Sequence, residues 1–356
     1  MKSLSFLVCL SLVSSSVSAQ ESAFNKDPWP EVKEGPVKVF ILAGQSNMQG
    51  QASLRTLEYL IYNEETAASF QHWKDRNGAW NERRDVAVWT SDGERSGFLK
   101  PGYGANEWKF GPELGFGWEM GERIEQQVLL IKTCWGGRSV RKDFLPPSEA
   151  LPSDDMLQSE LVRIQKRHPE MSLDQLKAGY GNAYRDMISH TKSILANPQS
   201  VIPEFADGRR LELSGMVWFQ GWNDMVDGEQ AKEEYENYTK RLASLIRDVR
   251  RDLDAPALPV VIGELGASDR RAFHQAQRRV ASLDEFKGNV IFTPTRHYWE
   301  PELAEMVKAG IWKGPDWVRF YNVGSDRGYH YLGSGKMMMK MGAAFGESMS
   351  SLIHAE

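Results

Sequence analysis

Short apolar runs rich in β-branched residues recur along this chain and alternate with longer helical patterns. The clearest helical pattern covers residues 229–253, where apolar residues such as Tyr238, Leu242 and Leu245 are spaced three and four apart. Strands that alternate with helices predict an α/β fold with a mainly parallel sheet, in which ligands bind beyond the carboxyl ends of the strands. The residues that follow the apolar runs are therefore the candidate functional residues. The runs cover residues 37–43, 128–131, 216–219, 259–262 and 290–292.

Two long stretches interrupt this alternation, over residues 51–110 and 139–211. Neither contains a strong strand pattern, and both are too long to be ordinary connections between a strand and a helix. Since no long Pro-, Ser- or Gly-rich linker divides the chain, we interpret both as insertions over the edge of the sheet in one domain spanning residues 36–354. Residues 20–35 form a lead-in to that domain.

The first insertion is rich in large aromatic side chains. Such side chains either stack on sugar rings near a binding site or form a satellite core under a long loop, and the sequence leaves both possibilities open. The residues concerned are Trp73, Trp80, Trp89, Tyr103 and Trp108.

Residues 1–19 have the features of a secretory signal peptide. A basic residue, Lys2, precedes an apolar run of about ten residues, and the segment ends on the small residues Ser18 and Ala19. The apolar run is about half the length that a membrane-spanning helix needs. We therefore expect a secreted or periplasmic protein with no stable membrane association after the signal is cleaved. Cleavage also removes Cys9, which leaves Cys134 without an intramolecular disulfide partner.

The charge balance excludes some classes of partner. Lys and Arg number 43 against 48 Asp and Glu, for a formal net charge of -5, so the chain has no basic excess for a nucleic acid backbone. The histidines other than His330 show no two-ligand spacing with a nearby acid. We expect neither a nucleic acid partner nor a metal or other cofactor.

The sharpest motif is GQSNM at residues 44–48, directly after the first apolar run. Gly44 allows a tight turn, the backbone N–H of Ser46 can face a developing oxyanion, and the Ser46 hydroxyl can attack a carbonyl carbon once a base removes its proton. The motif differs from the Gly-x-Ser-x-Gly elbow because Met48 occupies the position of the second glycine. An ordinary strand-to-helix turn capped by a polar residue is the alternative.

Two further motifs follow later runs: FQGWND at residues 219–224 and YHYLG at residues 329–333. Together with GQSNM, in this order, they resemble the SGNH hydrolases, in particular the branch of sialate O-acetylesterase-like and acetylxylan-esterase-like enzymes. The similarity extends over about residues 36–350. It implies a three-layer α/β/α flavodoxin-like fold and a carboxylic ester hydrolase that needs no cofactor. The Gly-x-Asn-Asp block of the family is matched by residues 221–224, and its glycine after the next strand by residues 135–137 (WGG).

The chemistry of ester cleavage assigns roles to the residues in these motifs. Attack on the ester carbonyl places negative charge on its oxygen, which the N–H of Ser46, an N–H of Gly136 or Gly137 and the side-chain amide of Asn223 can stabilise. His330 would accept the serine proton and return it to the leaving alcohol. An ordinary turn residue is the alternative for Asn223. The nearby polar residues Gln45, Asn47 and Gln220 are candidates for substrate binding.

The third member of the triad is less clear. SGNH enzymes usually place an aspartate three residues before the histidine, but Arg327 occupies that position here and Asp326 lies four residues before His330. We assign Asp326, and expect a bulged turn with an unusual backbone angle at Gly328 to absorb the extra residue. A surface-turn role for Asp326, a Ser–His pair oriented by a backbone carbonyl, and an acid from another loop, such as Glu264 or Glu300, are the alternatives.

The sequence thus predicts an exported serine esterase that removes O-acetyl groups from an acetylated carbohydrate through an acyl-enzyme. Two other functions stay open: a catalytically silent carbohydrate-binding protein on the same scaffold, and a lipid or aryl esterase. Gln277, in a predicted helix, is either structural or faces the substrate.

Overall fold

The structure is a computed structural model, which describes residues 29–91, 95–205, 208–226, 231–266 and 271–354. The predicted signal peptide and the lead-in up to residue 28 lie outside the described residues. The strands are β1 (Val37–Gly44), β2 (Ala52–Ser53), β3 (Arg83–Thr90), β4 (Arg95–Leu99), β5 (Lys109–Phe110), β6 (Gln127–Cys134), β7 (Leu211–Phe219), β8 (Val260–Gly263) and β9 (Val290–Thr293).

Helices connect and cover these strands. They are α1 (Ser46–Gln49), α2 (Leu54–Tyr62), α3 (Ala67–Phe70), α4 (Pro112–Arg123), α5 (Asp154–Gln165), α6 (Leu173–Gly179), α7 (Asn182–Ala196), α8 (Trp222–Val226), α9 (Ala231–Asp252), α10 (Arg271–Ala281), α11 (Pro301–Lys308), α12 (Trp317–Val323) and α13 (Gly335–Ile353). Short 3₁₀ turns cover Gln71–Trp73, Pro198–Ser200, Asp284–Phe286, Arg296–Tyr298, Ile311–Lys313 and His330–Gly333.

Within the described residues, seven strands form one sheet in the order β4-β3-β6-β1-β7-β8-β9. All neighbouring pairs are parallel except β3 with β4, which is antiparallel at one edge. Strands β6-β1-β7-β8-β9 follow the flavodoxin order 2-1-3-4-5, which puts the ligand-binding crevice at the carboxyl ends of β1 and β7. The expected α/β fold with a mainly parallel sheet is confirmed.

The sheet is buried on both faces, as its apolar strands predict. Alternate residues of β1 point to opposite sides: Phe40 and Leu42 pack in the cluster formed with α4 and α13, and Ile41 and Ala43 in the cluster formed with α7, α9 and α10. The helix predicted over residues 229–253 is α9, and its apolar stripe lies in the second cluster. Helices on both faces of the sheet produce the three-layer arrangement.

The prediction that residues 51–110 contain no strong strand is wrong. Strand β3 lies within the central sheet, parallel to β6, and β4 extends the sheet beyond it. The sequence pattern did not indicate β3 because the strand begins with charged residues. In the structure Arg83 is 2% exposed, and its guanidinium binds Asp85 at 2.8 Å and Glu122 at 2.6 Å. Because the buried charge is paired, the strand enters the sheet despite its polar sequence.

The insertion predicted over residues 139–211 needs a similar correction. Helix α7 is the crossover between β6 and β7, and its residues Ala183, Met187 and Ile188 pack against the sheet rather than over its edge. Helices α5 and α6 do form an additional layer, with a separate apolar cluster around Leu157 and Leu176. Only the first part of this stretch is an insertion, because the second part supplies the connection that a parallel strand pair requires.

Most of the aromatic residues in residues 51–110 belong to the core. Trp73, Trp89 and Tyr103 are buried and Trp80 is half-buried, whereas Trp108 is 68% exposed. The satellite-core interpretation is therefore wrong for these residues, because Trp73 and Tyr103 share a cluster with Phe40 of β1 and Trp89 lies in a cluster with Val39 of the same strand. In the part of the chain that the structure describes, no helix has both the length and the apolar character to cross a membrane.

Candidate active site

Ser46 lies in a tight turn between β1 and α1, at the carboxyl edge of the sheet. A Cβ atom on Gly44 would lie 2.2 Å from the carbonyl oxygen of Phe219 at the end of β7, so only glycine fits this close approach. The side chain of Gln45 caps α1 by accepting a hydrogen bond from the N–H of Asn47 at 2.7 Å. The sequence of the turn thereby fixes Ser46 as the first residue of the helix.

The structure brings Ser46, His330 and Asp326 into one chain of hydrogen bonds. Nε2 of His330 lies 2.9 Å from Oγ of Ser46, and Nδ1 of His330 lies 2.8 Å from Oδ2 of Asp326. A carboxylate beside Nδ1 favours the tautomer that carries its proton there, and in that tautomer Nε2 can accept the proton of the serine hydroxyl. The arrangement is that of a nucleophile, a general base and an orienting acid.

The segment that carries His330 has an unusual backbone. His330, Tyr331 and Leu332 have φ values of 53°, 53° and 55°, a left-handed turn that costs about 1–2 kcal/mol per residue for side chains other than glycine. The carbonyl of Leu332 accepts the N–H groups of Ser325 and Asp326 at 2.9 and 3.0 Å, which holds the turn closed. The strained angles fall on these three residues and not on Gly328, where we predicted one.

Asp326 is charged in this arrangement. Burial of the carboxyl favours its neutral form, but hydrogen bonds from His330 and from the N–H groups of Gly328 and Tyr329 outweigh burial and lower the pKa of Asp326 to about 2. An ionised carboxylate is the form that stabilises a protonated imidazole.

The candidate oxyanion donors lie on the neighbouring loops because of the strand register. Gly44 pairs with Cys134 of β6 and with Phe219 of β7, so the loops that follow all three strands leave the sheet side by side. Gly136 and Gly137 are in the loop after β6, and Asn223 is the second residue of α8, after β7. No described residue hydrogen-bonds to the side chain of Asn223, so its amide is available to a ligand.

Asp224 joins two of these loops, a role that the sequence analysis missed. Its carboxylate accepts the N–H groups of Val140 and Arg141 at 3.0 and 3.1 Å and the side-chain amide of Gln220 at 2.6 Å. Burial raises the pKa of Asp224 to about 6 in spite of these hydrogen bonds. The contacts fix the start of α8, and thus Asn223, relative to the loop after β6.

Lys132 stabilises the turn that carries Ser46, a second role that the sequence analysis missed. This buried side chain of β6 donates to the carbonyl of Gln49, the last residue of α1, at 3.0 Å and to the carbonyl of Tyr103 at 2.6 Å. Its charge is paired with Glu113 at 2.9 Å. A lysine within an otherwise apolar strand was the sequence signal, since a buried cation needs partners.

Several other predicted residues do not reach the site as expected. The side chains of Gln45 and Gln220 are 1% and 0% exposed, and they hold the backbone of the turns instead of facing a substrate. Gln277 is buried and structural, since it accepts the N–H of Leu265 at 3.0 Å. Glu264 and Glu300 bind other partners, the N–H groups of Thr295 and Arg296 and the hydroxyl of Ser334, and neither contacts His330.

A cavity of about 270 Å³ opens beside the Ser46–His330 pair. Four Trp and Tyr side chains form much of its wall, and two of them, Trp222 and Tyr329, pack edge to face at 5.7 Å between ring centroids. Asn47 is the one residue predicted to bind substrate that lines this cavity. No cluster of three His, Cys, Asp or Glu side chains suitable for a metal ion occurs in the described ranges. The full lining is Asn47, Trp222, Gly266, Trp299, Gly328, Tyr329, His330, Tyr331 and Leu332.

A known protein family matches the sequence of this chain. The family is described as carbohydrate esterase, sialic acid-specific acetylesterase, and its model matches residues 36–297, a region that ends before Asp326 and His330. No curated protein is significantly similar to the chain.

Solved structures align with this chain at low sequence identity. A protein from Arabidopsis thaliana is 15% identical with a TM-score of 0.49, and the alignment covers 88% of this chain and 98% of that one. A carbohydrate acetylesterase from Xanthomonas citri is 12% identical with a TM-score of 0.40, over 74% of this chain and 51% of that one. NanS is 16% identical with a TM-score of 0.42, over 74% of this chain and 79% of that one.

Proposed function

Since the chain belongs to the sialic acid-specific acetylesterase family of carbohydrate esterases, we propose that it is an exported serine esterase that removes O-acetyl groups through an acyl-enzyme intermediate. Membership makes the protein a carboxylic ester hydrolase that acts on acetylated carbohydrate. The further steps of the proposal concern the residues that act, the intermediate and the location of the enzyme.

The observation that best supports the mechanism is the hydrogen-bonded chain from Asp326 through His330 to Ser46, with both contacts below 3 Å. In the first half of the reaction, Nε2 of His330 takes the proton of Ser46 as the serine Oγ forms a bond to the carbonyl carbon. The negative charge that develops on the carbonyl oxygen is met by the N–H of Ser46, an N–H of Gly136 or Gly137, and the amide of Asn223.

The tetrahedral intermediate then collapses to an acyl-enzyme, which water hydrolyses in the second half of the reaction. The protonated imidazole of His330 gives its proton to the sugar oxygen as the ester C–O bond breaks, which releases the sugar and leaves an acetyl group on Oγ of Ser46. His330 next removes a proton from water, whose oxygen attacks the acetyl carbonyl. Acetate leaves, the proton returns to Ser46, and the free enzyme is restored.

Export is proposed on the residue pattern of positions 1–19 alone. The test is the N-terminal sequence of the protein recovered from its producing cells and from the medium. A mature chain that begins at Gln20 would support export, and an intact Met1 on a protein retained in the cytoplasm would contradict it.

The direct test of the activity is release of acetate from a panel of acetylated xylan, pectin, sialic acid and algal polysaccharides. We expect acetate from at least one of these substrates, and its loss in Ser46→Ala, which removes one hydroxyl without changing the turn. Ser193→Ala removes an exposed hydroxyl on α7 and is the matched control with full activity. Full activity of Ser46→Ala would contradict the mechanism, and binding without acetate release would favour a silent carbohydrate-binding protein.

A further inference from the structure

Asn47 has an unsatisfied side chain next to the candidate nucleophile. The residue follows Ser46 in α1 and is 5% exposed, and its Oδ1 atom has no hydrogen-bond partner in the described part of the chain. A buried polar atom without a partner is costly and uncommon in native proteins, so it calls for an explanation. The same side chain lines the cavity beside His330. The Oδ1 atom is itself fully buried, so a ligand bound in the cavity would meet the other end of the amide, which makes no hydrogen bond in the described part of the chain.

The dimensions of the cavity indicate how much of a substrate it can hold. An acetyl group has three heavy atoms and fills roughly a third of 270 Å³, at about 30 Å³ for each water-sized group. The remaining space adjoins Trp222, Trp299 and Tyr329, of which Tyr329 is 59% exposed. Aromatic rings of this kind offer an apolar face and a polar edge, which suits the alternating C–H and hydroxyl groups of a sugar ring.

We propose that the cavity binds the acetylated pyranose ring itself, and that the Asn47 amide binds the free hydroxyl next to the ester. The inference rests on the proposed function, because it places the sugar by its ester at Ser46. A hydroxyl can donate to an amide oxygen or accept from an amide nitrogen, so it can pair with whichever end of the Asn47 amide faces the cavity. Asn47 lines the same cavity as His330, whose Nε2 contacts the Ser46 hydroxyl, so its amide is placed to bind a group near the bond that is cleaved.

The preferred substrate class follows from this contact. The enzyme should prefer pyranosides that carry an acetyl ester beside a free hydroxyl over rings in which that hydroxyl is absent or acetylated. A site built to hydrogen-bond a substrate hydroxyl rejects the analogue without it strongly, because a buried polar group then stays unpaired.

The experiment compares kcat/KM for two monoacetylated pyranosides that differ only in the neighbouring group, which is a hydroxyl in one and a hydrogen in the other. For the wild type we expect the hydroxylated ester to be preferred by about 10- to 100-fold, and this comparison needs no variant. Asn47→Leu keeps the size of the side chain but removes the amide, so the ratio of the two kcat/KM values should fall to about one. Any general loss of activity in the variant cancels in the ratio.

Asn197→Leu is the matched control. Asn197 is exposed at the end of α7, on the connection that enters the amino end of β7, at the opposite edge of the sheet from the site, and it should keep the wild-type preference. Equal kcat/KM values for the two esters in the wild type, or an unchanged preference in Asn47→Leu, would overturn the inference. So would hydrolysis of an aryl acetate, dependent on Ser46, with no turnover of either pyranoside. Absence of hydrolysis of every ester would instead count against the proposed function.

Discussion

Asp326 orients His330 in the proposed mechanism, and its replacement tests whether the three residues act as a unit. Asp326→Asn should lower kcat by about a thousandfold or more, because the amide no longer holds the imidazole in the useful tautomer or stabilises its charge. His330→Ala should lower kcat at least as much, and the double variant should lose no more activity than the less active single variant. The measurement is the rate of aryl acetate hydrolysis by the three variants.

Near-full activity of Asp326→Asn together with an inactive His330→Ala would contradict the triad and would indicate a Ser–His pair instead.

The pKa of Asp326, about 2 in the folded protein against an ordinary value of 3.8, also predicts a pH dependence of stability. Because the folded-state pKa is lowered, the contribution of the carboxylate is fully present above about pH 4 and is lost as the pH falls through about 2. The difference in unfolding free energy between wild type and Asp326→Asn should therefore be constant near neutral pH and shrink on acidification. Urea unfolding at several pH values measures it, and a difference that grows toward low pH would contradict the assigned contacts.

Asn223 offers an amide that no described residue engages, which suits a donor used when charge develops on the substrate. Asn223→Ala should lower kcat by about a hundredfold or more and leave KM nearly unchanged, because the hydrogen bond strengthens in the transition state. Steady-state kinetics with an aryl acetate separates the two parameters. A raised KM at unchanged kcat would make Asn223 a substrate-binding residue.

The turn between β1 and α1 depends on the absence of a side chain at Gly44. In Gly44→Ala the new Cβ would lie 2.2 Å from the Phe219 oxygen and 2.8 Å from its carbonyl carbon, so β7 would have to shift away from β1. We expect a loss of stability of about 1–3 kcal/mol or more, with loss of activity, since both loops of the site move. Thermal unfolding and aryl acetate turnover measure these effects.

Gly179→Ala is the control for this substitution, because a Cβ there has no atom within 4 Å. Equal melting temperatures for the Gly44→Ala and Gly179→Ala proteins would show that the close approach of the two strands is not required.

Secondary structure was predictable where the apolar pattern is uninterrupted, as in β1, β6 and α9. Strand β3 was missed because Arg83 and Asp85 look like a surface segment, although each is buried against an opposite charge. The left-handed turn covers residues 330–333, and only its last residue, Gly333 with a φ of 63°, is of a type that favours this conformation, so no sequence signal marks the three residues before it. Hydrogen bonds between residues outside this segment and the turn stabilise the conformation, and a local sequence pattern cannot predict such tertiary contacts.

Over the whole molecule, the sheet order accounts for the meeting of residues that are far apart in the chain. Ser46 and His330 are 284 positions apart, and they come together because the segment of His330 returns to the carboxyl edge of β1 before α13 packs against α4. The fold and the motif positions were predictable because parallel strands align their carboxyl ends. The structure joins Ser46, His330 and Asp326, and their catalytic roles stay predictions.

Polar residues near the motifs were harder to assign. Gln45, Gln220 and Asn47 all belong to the motifs, yet only Asn47 lines the cavity, whereas the other two satisfy backbone groups in the turns. Proximity in sequence to a nucleophile does not distinguish a side chain that faces the substrate from one that holds the loop, because the direction of each side chain depends on the packing of three separate loops.

The most direct test of the mechanism is to trap the acyl-enzyme. Enzyme mixed with excess aryl acetate is quenched in acid during the first turnover, digested, and analysed by mass spectrometry. The proposed mechanism predicts the added mass of one acetyl group on the peptide that contains Ser46, and its absence in Ser46→Ala. Acetate release by the wild type with no acetyl group on that peptide, together with full turnover by Ser46→Ala, would contradict it.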